Sequence, residues 1–376
     1  MAGIYIHIPF CKKACTYCDF HFSTSLKMKA DFVDALIKEI DIRKGVFSKV
    51  EVSTIYFGGG TPSLLTRQEL HIIFEKLFDS FNISENAEIT LEANPDDLSF
   101  DKIAQIKDSP INRLSIGVQS FCDNDLKFMN RVHCGDDAYQ SIVMAQEAGF
   151  VNITIDLIYG TPGLTDHAWI QNLHKSFELN IPHISSYALT VEEKTVLHQQ
   201  INSKKIAPIS EEQSARQFEI LMREMSENGY EQYEISNFCK PNGYSRHNSA
   251  YWSKDNYLGL GPSAHSFLGN SRLWNVSNNA KYIKSLSTDI LPLELEVLSE
   301  RDRYNEYVMT SLRTKWGCQV SQMEADFSKK INDGFKSEIQ KHIQNGLVTE
   351  DKGVFTLSNA GMLLADRISA DLFLLD

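Results

Sequence analysis

Residues 54–62 read TIYFGGGTP, a run rich in β-branched and aromatic side chains that stops at three consecutive glycines. The composition is that of a strand and the glycines end it. Just beyond, Thr66 and Glu69 are spaced as a capping box, and Leu70, Ile73, Phe74, Leu77 and Phe81 form one apolar stripe, so a helix follows the strand. Outward from this unit the pattern repeats. Upstream, IYIHI (4–8) is a strand that ends at Pro9, and Phe32, Leu36 and Ile40 mark a helix over 29–44. Downstream, EITLEAN (88–94), RLSIGVQS (113–120), NITIDLIYG (152–160) and HISSYALT (183–190) read as strands. Helices over 99–106, 136–149, 166–179 and 211–228 alternate with them. Short strands alternating with helices predict an α/β fold with a parallel sheet, a partial TIM-like (β/α) barrel of six units, with an open doubly wound sheet as the second choice. Glu92, Asn94, Gln119 and Asp156 are polar residues near strand ends, which in a barrel form the rim where ligands are handled.

From about residue 291 the texture changes. A helix over 300–314 precedes shorter helical stretches, and in 346–368 two short strands flank a turn at Asp351-Lys352-Gly353 and lead into a last helix. That is the layout of a winged helix, an α+β unit smaller than the barrel. The division expected is 1–235 for the barrel and its cysteine loop, 236–290 for a connecting region, and 291–376 for the C-terminal domain. Residues 291–376 carry ten basic and fourteen acidic side chains, and the whole chain carries −12, so nucleic-acid binding is not expected. A hydrophobic content of 42% with ten prolines is that of a folded chain with a full-sized core. Without a long apolar run or a signal-peptide core, the expectation is a soluble, cytoplasmic protein.

Three of the seven cysteines fall within eight residues, Cys11-Lys-Lys-Ala-Cys15-Thr-Tyr-Cys18. An odd total in a long chain argues against a disulfide scaffold, and Cys122, Cys134, Cys239 and Cys318 are scattered, as inert thiols are. Spacings of four and three let a curled loop aim three thiolates at one small centre. Zinc would need a fourth ligand, for which His7 or His21 is at hand. The other reading is an iron–sulfur cluster with one iron left for an exchangeable ligand.

With Tyr17 beside the last cysteine, CxxxCxxC resembles the radical S-adenosylmethionine superfamily. Together with Tyr5-Ile-His7-Ile-Pro9-Phe10, GGGTP (58–62), EANP (92–95), GVQSF (117–121) and IDLIYG (155–160), it resembles the oxygen-independent coproporphyrinogen III oxidase family along the whole chain. The resemblance implies a [4Fe-4S] cluster on Cys11, Cys15 and Cys18, with S-adenosylmethionine on the fourth iron. It further implies that Tyr5 lies near the cluster, that Gly59, Gly60 and Thr61 leave room for the amino-acid part of the cofactor, and that Glu92 meets its ribose. Gln119, Arg131 and Asp156 would complete that pocket.

Two departures narrow the resemblance. The oxidases continue to a further cysteine, CxxxCxxCxC, where this chain has Phe20, and His247-Asn248-Ser249-Ala250-Tyr251-Trp252 matches the HNxxYW motif of the haem chaperone branch, HemW. Its segment before the cysteines is also short beside theirs. This branch implies haem as a third cofactor, with His247 as ligand or neighbour and Tyr251 and Trp252 offering flat apolar surface. The histidine's bland role is a hydrogen bond within a loop; His265, in a glycine-rich stretch, is a weaker candidate. The function implied is binding haem and passing it to an acceptor protein. The alternatives are a radical enzyme acting on a porphyrin and a structural zinc-binding interaction protein. The implied partners are the acceptor, an electron donor if S-adenosylmethionine is cleaved, and a second copy of the chain in a homodimer; transient membrane contact stays open.

Overall fold

The computed structural model describes residues 2–375; residues 1 and 376, the outer limits of the expected division, lie outside the described residues. Six strands, β1 (Ala2–Ile8), β2 (Val52–Gly59), β3 (Ile83–Ala93), β4 (Arg113–Gln119), β5 (Ile153–Tyr159) and β6 (His183–Ala188), pair in chain order and in parallel. Helices Lys29–Arg43, Arg67–Ser80, Phe100–Lys107, Gly135–Glu147 and Asp166–Glu178 connect them. A strand order that never reverses, with crossovers of one hand, keeps the helices on one face and curls the sheet into a partial barrel. A doubly wound sheet needs a reversal, and these six strands have none.

Both flanks extend the sheet. Beyond β6 come β8 (Asn237–Cys239) and β7 (Glu231–Glu234), antiparallel. Beyond β1 come β9 (Asn256–Leu260), parallel to it, then β10 (His265–Leu268), β11 (Ser271–Asn275) and β12 (Leu293–Val297). Much of 236–290 is therefore sheet. Period-2 alternation sets what each face carries. Ile4, Ile6 and Ile8 of β1, Ile55 and Phe57 of β2, and Ile89 and Leu91 of β3 lie in the core. The residues between them, Tyr5, His7, Tyr56, Glu88 and Glu92, point to the other, concave face. A parallel strand buried on both faces is usually apolar throughout, so this alternation marks a face built for polar work.

The C-terminal domain has its own core, centred on Tyr304, Val308, Phe335, Ile339, Phe355 and Ile368. Its sheet holds β13 (Cys318–Gln319), β14 (Val348–Asp351) and β15 (Val354–Leu357) in the order β13-β15-β14. Asp351 pairs with Val354, so Lys352 and Gly353 form a two-residue turn, with φ of 50° and 79°, which is the hairpin turn that needs left-handed residues. The α/β barrel with a smaller α+β domain is the fold expected. Among the described residues no helix is long and apolar enough to cross a membrane.

Candidate functional site

The cysteine loop leaves β1 at the C-terminal end of the parallel strands and is pinned from several sides. Cys11 N donates to Ser23 O at 3.0 Å, Thr16 N to Met129 O at 3.2 Å, and Asn130 Nδ2 to Ala14 O at 2.7 Å. Arg131 ties this loop to the strand ends: Nη1 approaches Cys15 Sγ at 3.4 Å, while Nη2 donates to Asn94 Oδ1 at 2.6 Å and Gly117 O at 2.7 Å. Asn94 Nδ2 in turn donates to Thr61 Oγ1 at 3.1 Å. Gln119 ends β4 in the left-handed region at φ 66°, which a non-glycine residue adopts only when its surroundings hold it there.

The expected cofactor set is corrected here. Among the described residues no group of three or more His, Cys, Asp or Glu side chains is arranged to hold a metal ion. The three thiols share a loop, but each has its own hydrogen-bond partner: Cys11 with the Thr61 side chain, Cys15 with Arg131, Cys18 with the backbone at Phe20. Burial and the neighbouring thiols push Cys18 up to about 11, and burial raises Cys11. His7 and His21, offered as zinc ligands, bond elsewhere: His7 Nε2 lies 2.8 Å from His21 O, and His21 Nε2 lies 2.7 Å from Asn279 Oδ1. The [4Fe-4S] cluster with S-adenosylmethionine and haem as resident cofactors therefore does not stand.

The glycine run is closely fitted to the end of β1. A Cβ on Gly59, at φ +102°, would meet the His7 ring at 2.5 Å, and one on Gly60 would meet the carbonyl oxygens of Ile8 and Phe10 at 2.7 Å. These glycines let β2 turn closely against the end of β1, where a side chain would collide with it.

Deeper in the concave face, a cavity of about 370 Å³ is lined by Tyr5, Tyr56, Glu92, Tyr187, His247 and Tyr251 among others. Tyr56 Oη donates to Glu92 Oε1 at 2.7 Å, and Gly59 N donates to Glu92 Oε2 at 3.2 Å. Burial nevertheless lifts Glu92 to about 6. Asp156 rises to about 7, through burial first and the Glu92 charge second. It is the fourth of the seven residues of β5, not an end residue as expected, and it is paired in register with Ser185. A buried carboxyl raised towards neutrality can accept or donate a proton there, which is what the arrangement offers chemically.

HNSAYW is not a loop. Residues Arg246–Trp252 form a helix capped by Ser245, and His247 is 1% exposed. Its Nδ1 lies 2.8 Å from Thr54 Oγ1, its Nε2 lies 2.9 Å from Tyr251 Oη, and its backbone N donates to Glu88 Oε1 at 3.0 Å. Burial lowers it to about 3, so the imidazole is neutral, stacked on Tyr56 at 5.1 Å, with both ring nitrogens engaged. His265 lies on β10, stacked on Trp274. The structure thus brings Tyr5, Glu92 and His247 to one cavity, and Thr61, Arg131 and the cysteines to the rim. Sequence reasoning missed Tyr56 and Tyr187, although period-2 alternation from Thr54 and from Ser185 points to both. It also missed Arg313, which reaches the cavity from the C-terminal domain and has no local signal.

Against known proteins, residues 5–175 match the Radical SAM superfamily and residues 298–364 match the HemN C-terminal domain. A protein called Heme chaperone HemW from Lactococcus lactis subsp. lactis (strain IL1403) is 34% identical over 372 residues, covering 99% of this chain and 97% of that protein. Another of that name from Bacillus subtilis (strain 168) is 33% identical over 375 residues, covering 98% of each. Among solved structures, the coproporphyrinogen III oxidase HemN of Escherichia coli, described as a radical SAM enzyme, superimposes with a TM-score of 0.86 at 25% identity. It covers 99% of this chain and 90% of that one. The chain belongs to the HemW/HemN branch of the radical SAM superfamily.

Proposed function

We propose that this protein is a haem chaperone, which takes haem as cargo and passes it to an acceptor protein. The observation that carries the reading is the full-length likeness to relatives called heme chaperone HemW, joined to Phe20 and the HNSAYW helix where the oxidase pattern departs. The site fits a binding and release role. A neutral, doubly hydrogen-bonded His247 and stacked tyrosines form a preorganised wall. Cys11, Cys15, Cys18, Cys122, Cys134, Cys239 and Cys318 are all free thiols, as suits a reducing cytoplasm.

A direct test is to titrate the full chain with haem, follow the absorbance change, and mix the loaded chain with an apo-cytochrome. Delivery faster than from haem-loaded serum albumin, with coproporphyrinogen left unchanged, is the expected result. Conversion of coproporphyrinogen to a decarboxylated product would instead favour an oxidase, the activity of the solved relative.

A further inference from the structure

Two cavities, the inner one and a larger one of about 710 Å³ across the helix Arg246–Trp252 from it, lie between the barrel and the C-terminal domain. Away from them, the two edges of the twelve-stranded sheet are finished differently. At one edge the C-terminal domain covers β7, where Ile235 N donates to Arg313 O and Lys315 N to Tyr233 O. At the other edge β12 pairs with β11 on one side, and among the described residues no strand pairs with it on the other.

The register fixes which backbone groups of β12 stay free. Leu298 N donates to Asn270 O and Val276 N to Pro292 O, both at 2.9 Å, and β11 and β12 pair without a shift between these points. In an antiparallel pair the bonded residues alternate, so Glu294 and Glu296 bond to β11 while Leu293, Leu295 and Val297 turn their N–H and C=O groups outward. Side chains alternate as well. Leu295 lies beside Leu273 with Val297 on the same face, 60% and 70% exposed, and Glu294 and Glu296 lie on the other face opposite Trp274 and Arg272. Arg272 is already paired with Glu306 at 2.8 Å, and among the described residues neither Glu294 nor Glu296 forms an ion pair. Edges that must stay unpaired are blunted by lysine, a bulge or a proline within the strand. β12 has none of these, since Pro292 stands before it.

Charge selects what can pair here. A second copy of the chain, antiparallel about Leu295, would set Glu294 against Glu296 twice, like charge against like. A strand with lysine or arginine at alternate positions would instead meet both carboxylates, with apolar residues between them beside Leu295 and Val297. We propose that β12 is a docking edge for an extended segment of another protein in which basic and apolar residues alternate, added to the sheet as a further strand. The inference goes beyond the haem-chaperone reading and does not depend on it.

The test mixes the full chain with a labelled, capped peptide of alternating lysine and valine, or with its glutamate–valine counterpart, and follows anisotropy. The lysine peptide is expected to bind about tenfold or more tightly than the glutamate peptide, and Glu294→Lys/Glu296→Lys to reverse the order. Leu295→Pro removes an outward N–H and keeps the bonds to β11, so it should melt as a folded protein and lose the lysine peptide. Methylating alternate peptide amides, which leaves the protein untouched, should abolish binding in one phase of the alternation and spare it in the other. Equal binding of the two peptides, no binding of either, or indifference to which amides are methylated would overturn the docking edge. So would a wild-type dimer in sedimentation that Leu295→Pro dissociates, because a second copy would then be the occupant.

Discussion

Gly59 shows at a single residue how closely β1 and β2 are fitted. Its φ of +102° and the His7 ring 2.5 Å from where a Cβ would stand leave no room for a side chain. Gly59→Ala should cost about 1–3 kcal/mol of stability, measured by urea unfolding, with a partial recovery when His7 is shortened to Ala. Glu92 and Asp156 make a different residue-scale prediction. Their folded-state values of about 6 and about 7 lie above ordinary carboxyl values, so the folded protein holds protons that the unfolded chain releases. The stability this contributes is fully present below the unfolded carboxyl range and is lost as pH rises through 6 to 7. Asp156→Asn removes its share, so the variant should lose less stability than the wild type between pH 5 and pH 8, by on the order of 1 kcal/mol. Equal slopes for the two proteins would show that Asp156 is not protonated in the folded state.

At the scale of elements, Glu39 on the helix Lys29–Arg43 holds the β9–β11 flank. It is fully buried; it accepts from Gly261 N at 2.8 Å, Asn275 Nδ2 at 2.7 Å and Tyr282 Oη at 2.6 Å, and it pairs with Arg43 at 3.3 Å. Arg43 continues the clamp to Gly259 O at 2.9 Å. Glu39→Ala leaves a buried guanidinium uncompensated and should cost about 3 kcal/mol or more, whereas Glu39→Gln, which still accepts hydrogen bonds, should cost less. Hydrogen exchange resolved along the chain would locate the loss in 256–275; a uniform loss would mean that the clamp serves the whole barrel. The helix Arg246–Trp252 is the other element of consequence. Its Ser245 cap and the buried His247 fix which of its faces looks into each cavity.

For the whole molecule, the two domains are joined through residues 313–315. Ile235 N donates to Arg313 O at 3.0 Å and Lys315 N to Tyr233 O at 3.1 Å, so this stretch adds to the edge at β7. Arg313 pairs with Glu234 at 3.3 Å and Asp366 at 3.0 Å, and Lys315 with Glu231 at 2.6 Å. Glu234 is buried, so losing Arg313 strands its charge. Arg313→Met/Lys315→Met should weaken the coupling and split calorimetric unfolding into two transitions where the wild type shows one; a single unshifted transition would refute the coupling.

Sequence by itself determined the order and type of the barrel elements, the Thr66–Glu69 cap, the hairpin turn at Lys352-Gly353 and the alternation that makes one sheet face polar. Each depends on residues within a few positions of one another, where side-chain period and backbone preference act directly. Only the tertiary structure decided how closely the glycine run fits the end of β1, that the three thiols take separate partners, and that HNSAYW is a helix dividing two cavities. Those outcomes rest on contacts between distant residues, Arg131 with Cys15 across 116 positions and His247 with Thr54 across 193. No local pattern encodes such contacts; they exist only once the sheet has curled and brought its strands and flanking segments together.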